Sequence, residues 1–365
     1  MLTTKTLLAG AIAVLVANQA SALNESTQDQ TGTDNYADVV QQNGTDNLSS
    51  QLQDGDANVV YTLQNGSELT ATSEQRGTGN FTTIEQEGRT SQADVSQDGS
   101  YNLATVYQAA YGEVGHTATI SQIGTDNLAY IEQIDGAANS ATIDQDGLRN
   151  VVDVSQQLTA NHLGATQVGE DNTLLVEQLG NSSAYTSQTG TANAIDLQQD
   201  GGFSGASATI SQNGTGNQAT LTQQSSQYSA GDVQLTQIGT SNVANVVENS
   251  GFGSFTFTQD GTGNELTAQH GGRSTTVVGT STGDYNRVDI QQGFDGSSLL
   301  IDQNGTRNEI DVDQTGYYGS GDIQQTGTEN YASLVQIGTS ASVTQESAVI
   351  MQTGNGNSAF VTQGQ

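Results

Sequence analysis

The chain has 365 residues, no Pro, Cys or Trp, 44 Gly and a formal net charge of −32. Without Cys it has neither disulfides nor thiolate metal sites, and so acidic a chain does not bind nucleic acid or an anionic membrane by charge. Average usage would give roughly 18 prolines, so their absence points to backbone N–H groups engaged throughout in ladders that Pro cannot join.

The first residues read as a secretory signal. Lys5 supplies the positive end, Leu7 to Ala17 the apolar stretch, and Ala20-Ser21-Ala22 a small-residue cleavage site, so export with cleavage after Ala22 is expected. The apolar stretch is too short to span a bilayer, which takes about 20 residues. Residues 23–29 form a short segment before the repeats. Losing Lys5 leaves Arg76, Arg89, Arg149, Arg273, Arg287 and Arg307 against 39 acidic residues, a net −33. A 33% hydrophobic content at that charge would suit disorder, and only repetition can supply a core.

Repetition begins at Gln30. From there Gln-x-Gly-x-x-Asn occurs fifteen times, with Gln30, Gln42 and Gln53 at a spacing of 11 to 12. Later copies open at Gln75, Gln97, Gln122, Gln145, Gln167, Gln188, Gln212, Gln237, Gln259, Gln303, Gln325 and Gln352, mostly about 22 residues apart. Midway in the long gap after Gln259, Ser281-Thr-Gly283-Asp-Tyr-Asn286 is the same unit with Ser for Gln. The turn glycines are Gly77, Gly99, Gly124, Gly147, Gly169, Gly190, Gly214, Gly239, Gly261, Gly283, Gly305, Gly327 and Gly354. The asparagines that close these turns are Asn80, Asn102, Asn127, Asn150, Asn172, Asn193, Asn217, Asn242, Asn264, Asn308, Asn330 and Asn357. A fixed period of this length means one supersecondary unit per repeat, stacked on its neighbours.

Within a unit, Ala118, Ile120 and Gln122 alternate with Thr119 and Ser121. After the turn, Asn127, Ala129, Ile131 and Gln133 alternate with Leu128, Tyr130 and Glu132. Period-2 alternation is the half-buried strand signal. Each repeat therefore reads as strand, Gly turn, strand, second turn. The second strand ends on its own Gln, as at Gln86, Gln108, Gln133, Gln178, Gln223, Gln314, Gln336 and Gln363. Gln-Asn-Gly at Gln42, Gln64, Gln212 and Gln303 also suits type I′ hairpins, but antiparallel pairing gives no reason for identical residues at identical positions. Parallel stacking does, because it aligns amides at the rung spacing of about 4.8 Å, where each donates to the next. The expected fold is all-β: a β-solenoid of about fifteen two-strand rungs over residues 30–365, its two parallel sheets face to face and amyloid-like. The repeats reach Gln363-Gly-Gln365 without a helix or Pro as cap, so each end is expected to template another copy.

The unit resembles the curlin repeat, Ser-x5-Gln-x-Gly-x-x-Asn-x-Ala-x3-Gln. It is complete in Ser91, Gln97, Gly99, Asn102, Ala104 and Gln108, and its second half recurs in Asn127-Ala129-Gln133 and Asn330-Ala332-Gln336. Glu248 stands where one rung should close on Gln. The resemblance implies a subunit of curli, the extracellular amyloid fibres of Gram-negative bacteria that serve adhesion and biofilm. It also implies export through an outer-membrane pore, polymerisation with itself and related subunits, and a nucleator.

Other chemistries fit less well. With 39 carboxylates, pairs at catalytic distance occur by chance, and no long insertion builds a cleft, so a polysaccharide-active solenoid enzyme is set aside, with no catalytic residue assigned and no cofactor expected. His116, His162 and His270 fall in or near irregular turns and read as solvated loop side chains rather than metal ligands. A calcium-responsive repeat adhesin is the alternative reading, on turns such as Thr125-Asp126-Asn127. The nonapeptide of calcium rolls is missing, however, and no dedicated metal site is expected. An ice-binding face would need a Thr-x-Thr array, whereas the outward positions mix Thr, Ser, Tyr, Asp and Glu. The Tyr residues beside ladder positions, Tyr36, Tyr101, Tyr285 and Tyr331, read as strand formers on an exposed face.

Overall fold

The computed structural model describes residues 23–202, 204–225, 230–249, 251–338 and 346–364; the expected signal segment, 1–22, lies outside them. Strands β1 (Glu25–Thr33) and β2 (Tyr36–Gln42) form the first rung, β3 (Leu48–Asp56) and β4 (Val59–Ser67) the second. The series continues in chain order to β29 (Ser347–Asn355) and β30 (Ser358–Gly364). Odd strands make one 15-stranded sheet and even strands another, each in strict order along the chain. All pairing between strands is parallel, and equivalent residues meet: Gln97 pairs with Gln122, Gln122 with Gln145, and Gly99 with Gly124. The hairpin alternative is therefore excluded; the one antiparallel contact among the described residues is the isolated bridge between Ala230 and Gly251.

Because side chains alternate across a strand, every second residue points between the sheets. Ala93, Val95, Ala118 and Ile120 from the odd sheet meet Ala104, Val106, Ala129 and Ile131 from the even sheet, all essentially buried. The apolar cluster runs unbroken from Ala71 to Ile350. No single rung could bury so thin a core. Stacking closes it on both sides of each rung, so the repeat rather than the composition decides order.

The two turns of a rung differ. The first is Gln-x-Gly-x-x-Asn, with Ser281 in place of Gln in one rung, and allows no change of length. Its glycine has a φ between 100° and 135° in the rungs of Gly77, Gly99, Gly124 and Gly147, a region closed to other residues. A Cβ on Gly99 would lie 2.0 Å from the carbonyl oxygen of Gly124. Just before the Asn the backbone is left-handed again, near φ 55°, with Tyr101, Asp126, Arg149 or Asp171 there. That region admits L-residues at modest cost, which explains why this position varies while the glycine does not. Insertions collect in the second turn, and equivalent amides consequently lie 21 to 27 residues apart.

The structure revises three details. Strand β1 starts at Glu25, so residues read as a leader already stack on the second rung. Gln42 does not open a rung: it is exposed at the end of β2, and Gln41 takes the inward place. Two closely spaced motif copies thus belong to the two turns of one rung. The histidines are not solvated as expected. His116 and His270 are buried, and half-buried His162 heads its strand with its ring edge-on to Tyr185.

Candidate functional site: three amide ladders

Inward glutamines at the end of the odd strands form the first ladder. Gln75 Nε2 donates to Gln97 Oε1 at 2.8 Å, and Gln97 to Gln122, Gln122 to Gln145, Gln145 to Gln167, Gln167 to Gln188, Gln188 to Gln212, Gln212 to Gln237 and Gln237 to Gln259 at 2.7–2.9 Å. The second amide proton crosses to the other sheet, as from Gln97 to the Phe81 carbonyl at 3.2 Å and from Gln145 to that of Leu128 at 3.0 Å. Each amide therefore satisfies both protons while buried, and one group links two rungs and two sheets. The ladder breaks at Ser281, where Gln259 turns to the carbonyls of Val243 and Asn264. It resumes as Ser281 Oγ donates to Gln303, Gln303 to Gln325 and Gln325 to Gln352.

The even strands carry the second ladder. It passes from Gln86 to Gln108 and Gln133, through Gln156 to Gln178, through Gln199 to Gln223, and later along Gln314, Gln336 and Gln363, with links of 2.7–2.9 Å. Gln156 and Gln292 belong to this ladder but lack a Gly two residues on and escape a Gln-x-Gly search, whereas Gln199 is followed by Gly201 and fits it. At the start of the ladder Gln41 also escapes that search, while Gln64, followed by Gly66, fits it. Counting six residues from the turn Asn would have found them all. In the odd sheet Gln30 and Gln53 extend the first ladder in the same way.

The asparagine ladder runs through the first turn, and its geometry differs from a plain amide-to-amide chain. Asn127 accepts at Oδ1 the backbone N–H of Asn150 at 3.0 Å and donates from Nδ2 to the Gly147 carbonyl at 3.0 Å. The same two bonds join Asn80 to Asn102, Asn150 to Asn172, Asn172 to Asn193, Asn193 to Asn217, Asn217 to Asn242, Asn242 to Asn264, Asn308 to Asn330 and Asn330 to Asn357 through their turn glycines. Asn286 carries the ladder past Ser281. The position needs a donor and an acceptor on one short side chain, so Asp cannot replace Asn. Glycine carbonyls are the acceptors, so the Gly and Asn of the motif act together. Gly169, Gly190, Gly214, Gly239, Gly261, Gly283, Gly305, Gly327 and Gly354 each take such a bond.

One stretch departs from this order. In the even sheet Glu248 pairs with His270, at the end of the strand Glu265–His270, and His270 with Gln292. His270 Nδ1 is hydrogen-bonded to Glu248, both side chains wholly buried. His270 Nε2 and Gln292 Oε1 have no hydrogen-bond partner. Phe255 packs against the imidazole with ring centres 5.7 Å apart. His116 takes the second-turn position occupied by Asn139 and Asn161 one and two rungs on. It accepts the Asn139 N–H at Nδ1 and sits 3.3 Å from the Ala109 carbonyl through Nε2. Burial pushes its pKa below the usual 6.5. Among the described residues no three His, Asp or Glu side chains converge as metal ligands, and no helix is long and apolar enough to cross a membrane.

Ladders of this kind perform no chemistry on a substrate. They repeat one donor–acceptor pattern from rung to rung, interrupted in the glutamine columns at Ser281 and at Glu248 and His270. The curated proteins contain no match to the chain. The family model described as the curlin associated repeat matches residues 68–99 and 116–147, each segment taking in one whole rung and the first strand of the next. The Gln, Gly and Asn columns of those two segments, which carry the matched repeat, continue in register through the rungs on either side.

Proposed function

We propose that the chain is a secreted structural subunit that polymerises end to end into curli-like amyloid fibres at the cell surface, serving adhesion and the biofilm matrix. The observation that carries this is the polarity of the ladders. Outside the interruptions at Ser281 and Glu248, the ladder Gln donates to the Gln of the next rung and the Asn presents Oδ1 to it, so the bonds that carry Gln325 onto Gln352 and Gln336 onto Gln363 can be repeated between Gln352 and Gln363 of one copy and Gln30 and Gln41 of another. Among the described residues β1 pairs only with β3, and β29 only with the strand Ser320–Thr328, so the outer side of each is the edge at which the reading has another copy add. Fifteen rungs at about 4.8 Å add roughly 70 Å of fibre per copy. The resemblance to curlin subunits supplies the rest of the reading: export through an outer-membrane pore, and a nucleator or related subunits as partners. No catalytic step or cofactor is part of it.

The test is fibre formation by residues 23–365 with seeds supplied, read by diffraction at about 4.7–4.8 Å and about 10 Å. A chain that stays monomeric for days at high concentration refutes the reading. Within it, Gln97→Leu with Asn102→Leu should slow growth more than Gln92→Ser with Asp94→Ser. The first pair strands buried partners at about 1–3 kcal/mol each, while Gln92 and Asp94 point to solvent.

A further inference from the structure

The outer face of the even sheet carries, beside the first turn, a column that differs between the two halves of the molecule. Over the first six rungs it reads Tyr36, Val59, Phe81, Leu103, Leu128 and Val151, each paired in register with the next. From the seventh rung the run is broken: Thr173, Ala194 and Gln218 follow, then Val243, Glu265, Arg287, Glu309, Tyr331 and Ser358, so apolar residues no longer adjoin. The matching column of the odd sheet is polar over the same span apart from Leu48. Tyr36 is 47% exposed, Leu103 and Leu128 36% each, and the neighbouring Tyr61, 40% exposed, leans on Tyr36 and Phe81 with ring centres 5.4 and 5.7 Å apart. A continuous apolar stripe on a chain this polar, exposed at Tyr36, Leu103 and Leu128 and half-buried at Val59, Phe81 and Val151, marks an interaction surface.

Its border carries negative charge and no positive charge. The next two outward columns hold Asp38, Glu85, Glu132 and Asp153 among neutral residues such as Tyr61 and Leu63. The basic residue on these strands, Arg89, lies at the far end of its strand near Glu68, and Arg149 in the adjoining turn is engaged by Glu170 and Asp171. Burial, with Glu87, Glu85 and Glu132, holds the Tyr107 hydroxyl above its ordinary range, as expected of a negative surface. A second copy of this chain, or an anionic lipid surface, would bring negative charge against negative charge.

We propose that this stripe is the docking site of a basic amphipathic α-helix lying along the solenoid axis. A helix turn rises about 5.4 Å against about 4.8 Å per rung, so about four to five turns of a helix's apolar stripe lie along the six stripe residues. Six rungs span about 24 Å, the length of roughly 16 helical residues. Lys and Arg on the flanks of such a helix reach Asp38, Glu85, Glu132 and Asp153, which select it over an acidic helix of the same shape.

The probe is a dye-labelled 18-residue Leu/Lys peptide with one leucine stripe, titrated with soluble residues 23–365 and read by fluorescence anisotropy in 0.15 M salt. Binding should fall at least tenfold for Phe81→Ser with Leu103→Ser and Leu128→Ser, and stay unchanged for Val278→Ser on the opposite sheet. Glu85→Gln with Glu132→Gln should weaken it several-fold and flatten its salt dependence; this pair leaves the core untouched and decides the matter if the triple variant does not fold. The proposal is overturned if a Ser/Lys peptide or a Leu/Glu peptide binds as tightly, or if both variants bind like the parent. It is equally overturned if the triple variant loses lateral self-association and keeps the peptide. Seeded fibre growth, followed in parallel, is expected to persist in all variants, so a failure here is distinct from a failure of the polymerisation reading.

Discussion

Restoring the even-sheet ladder should make the protein more stable. In Glu248→Gln with His270→Gln, residue 270 could donate its amide to Gln292 Oε1, which now lacks a partner, and receive the donor of residue 248. The orphaned His270 Nε2 disappears with the ring. Two buried groups left unpaired cost about 1–3 kcal/mol each, which pairing them in the restored ladder recovers. Against this stands the loss of the imidazole contact with Phe255, on the order of 1 kcal/mol. The net expectation is a gain of about 1–3 kcal/mol. His270→Gln alone removes the imidazole from a wholly buried carboxylate and should cost about 3–5 kcal/mol. Guanidinium unfolding of residues 23–365 at pH 7, followed by far-UV circular dichroism, gives the midpoints for a complete double-mutant cycle. A double variant less stable than the parent, or single effects that simply add, would refute the ladder argument.

Three further outcomes are expected. Gly124→Ala places a Cβ 2.0 Å from the Gly147 carbonyl at a φ of 114°, whereas Gly356 has open space around it and a φ of 66°; in unfolding experiments the first should cost more than about 3 kcal/mol, since strain alone is about 1–3, and the second about 1. The carboxyls of Asp94, Asp153 and Asp311 lie above the ordinary 3.8, chiefly through burial, with Glu74 adding at Asp94 and Asp289 at Asp311. An acid whose pKa rises on folding disfavours the folded state while ionised, so stability and seeded growth should increase as pH falls from 7 toward 4 and level off near 3.8. Added sodium, which shortens the Debye length to about 8 Å at 0.15 M, should act in the same direction; lag times that answer only to micromolar calcium contradict this. His116 works the other way, because a base whose pKa falls on folding loses its contribution as pH drops below 6.5. His116→Asn, copying Asn139 and Asn161 in its column, should remove that acid-sensitive part, visible as a flatter midpoint between pH 7 and 5.

Several things were decided by the sequence itself. Alternation placed the strands, since the side-chain period of a strand leaves one register in which Ala118, Ile120 and Gln122 face inward together. Identity at fixed positions chose parallel stacking, because only aligned amides satisfy each other in a core. The invariant Gly of the first turn announced a backbone that no other residue adopts. Tertiary structure decided what depends on three dimensions. Whether Gln41 or Gln42 points inward turns on where the strand ends, and neighbouring glutamines look alike to a motif search. That Asn127 serves a backbone N–H and a glycine carbonyl, rather than only another amide, follows from how the turns nest. His116 and His270 look like loop residues in a chain whose second turns vary in length. Only the stacked rungs show that each occupies a ladder position, buried because the rung above and the rung below close over it.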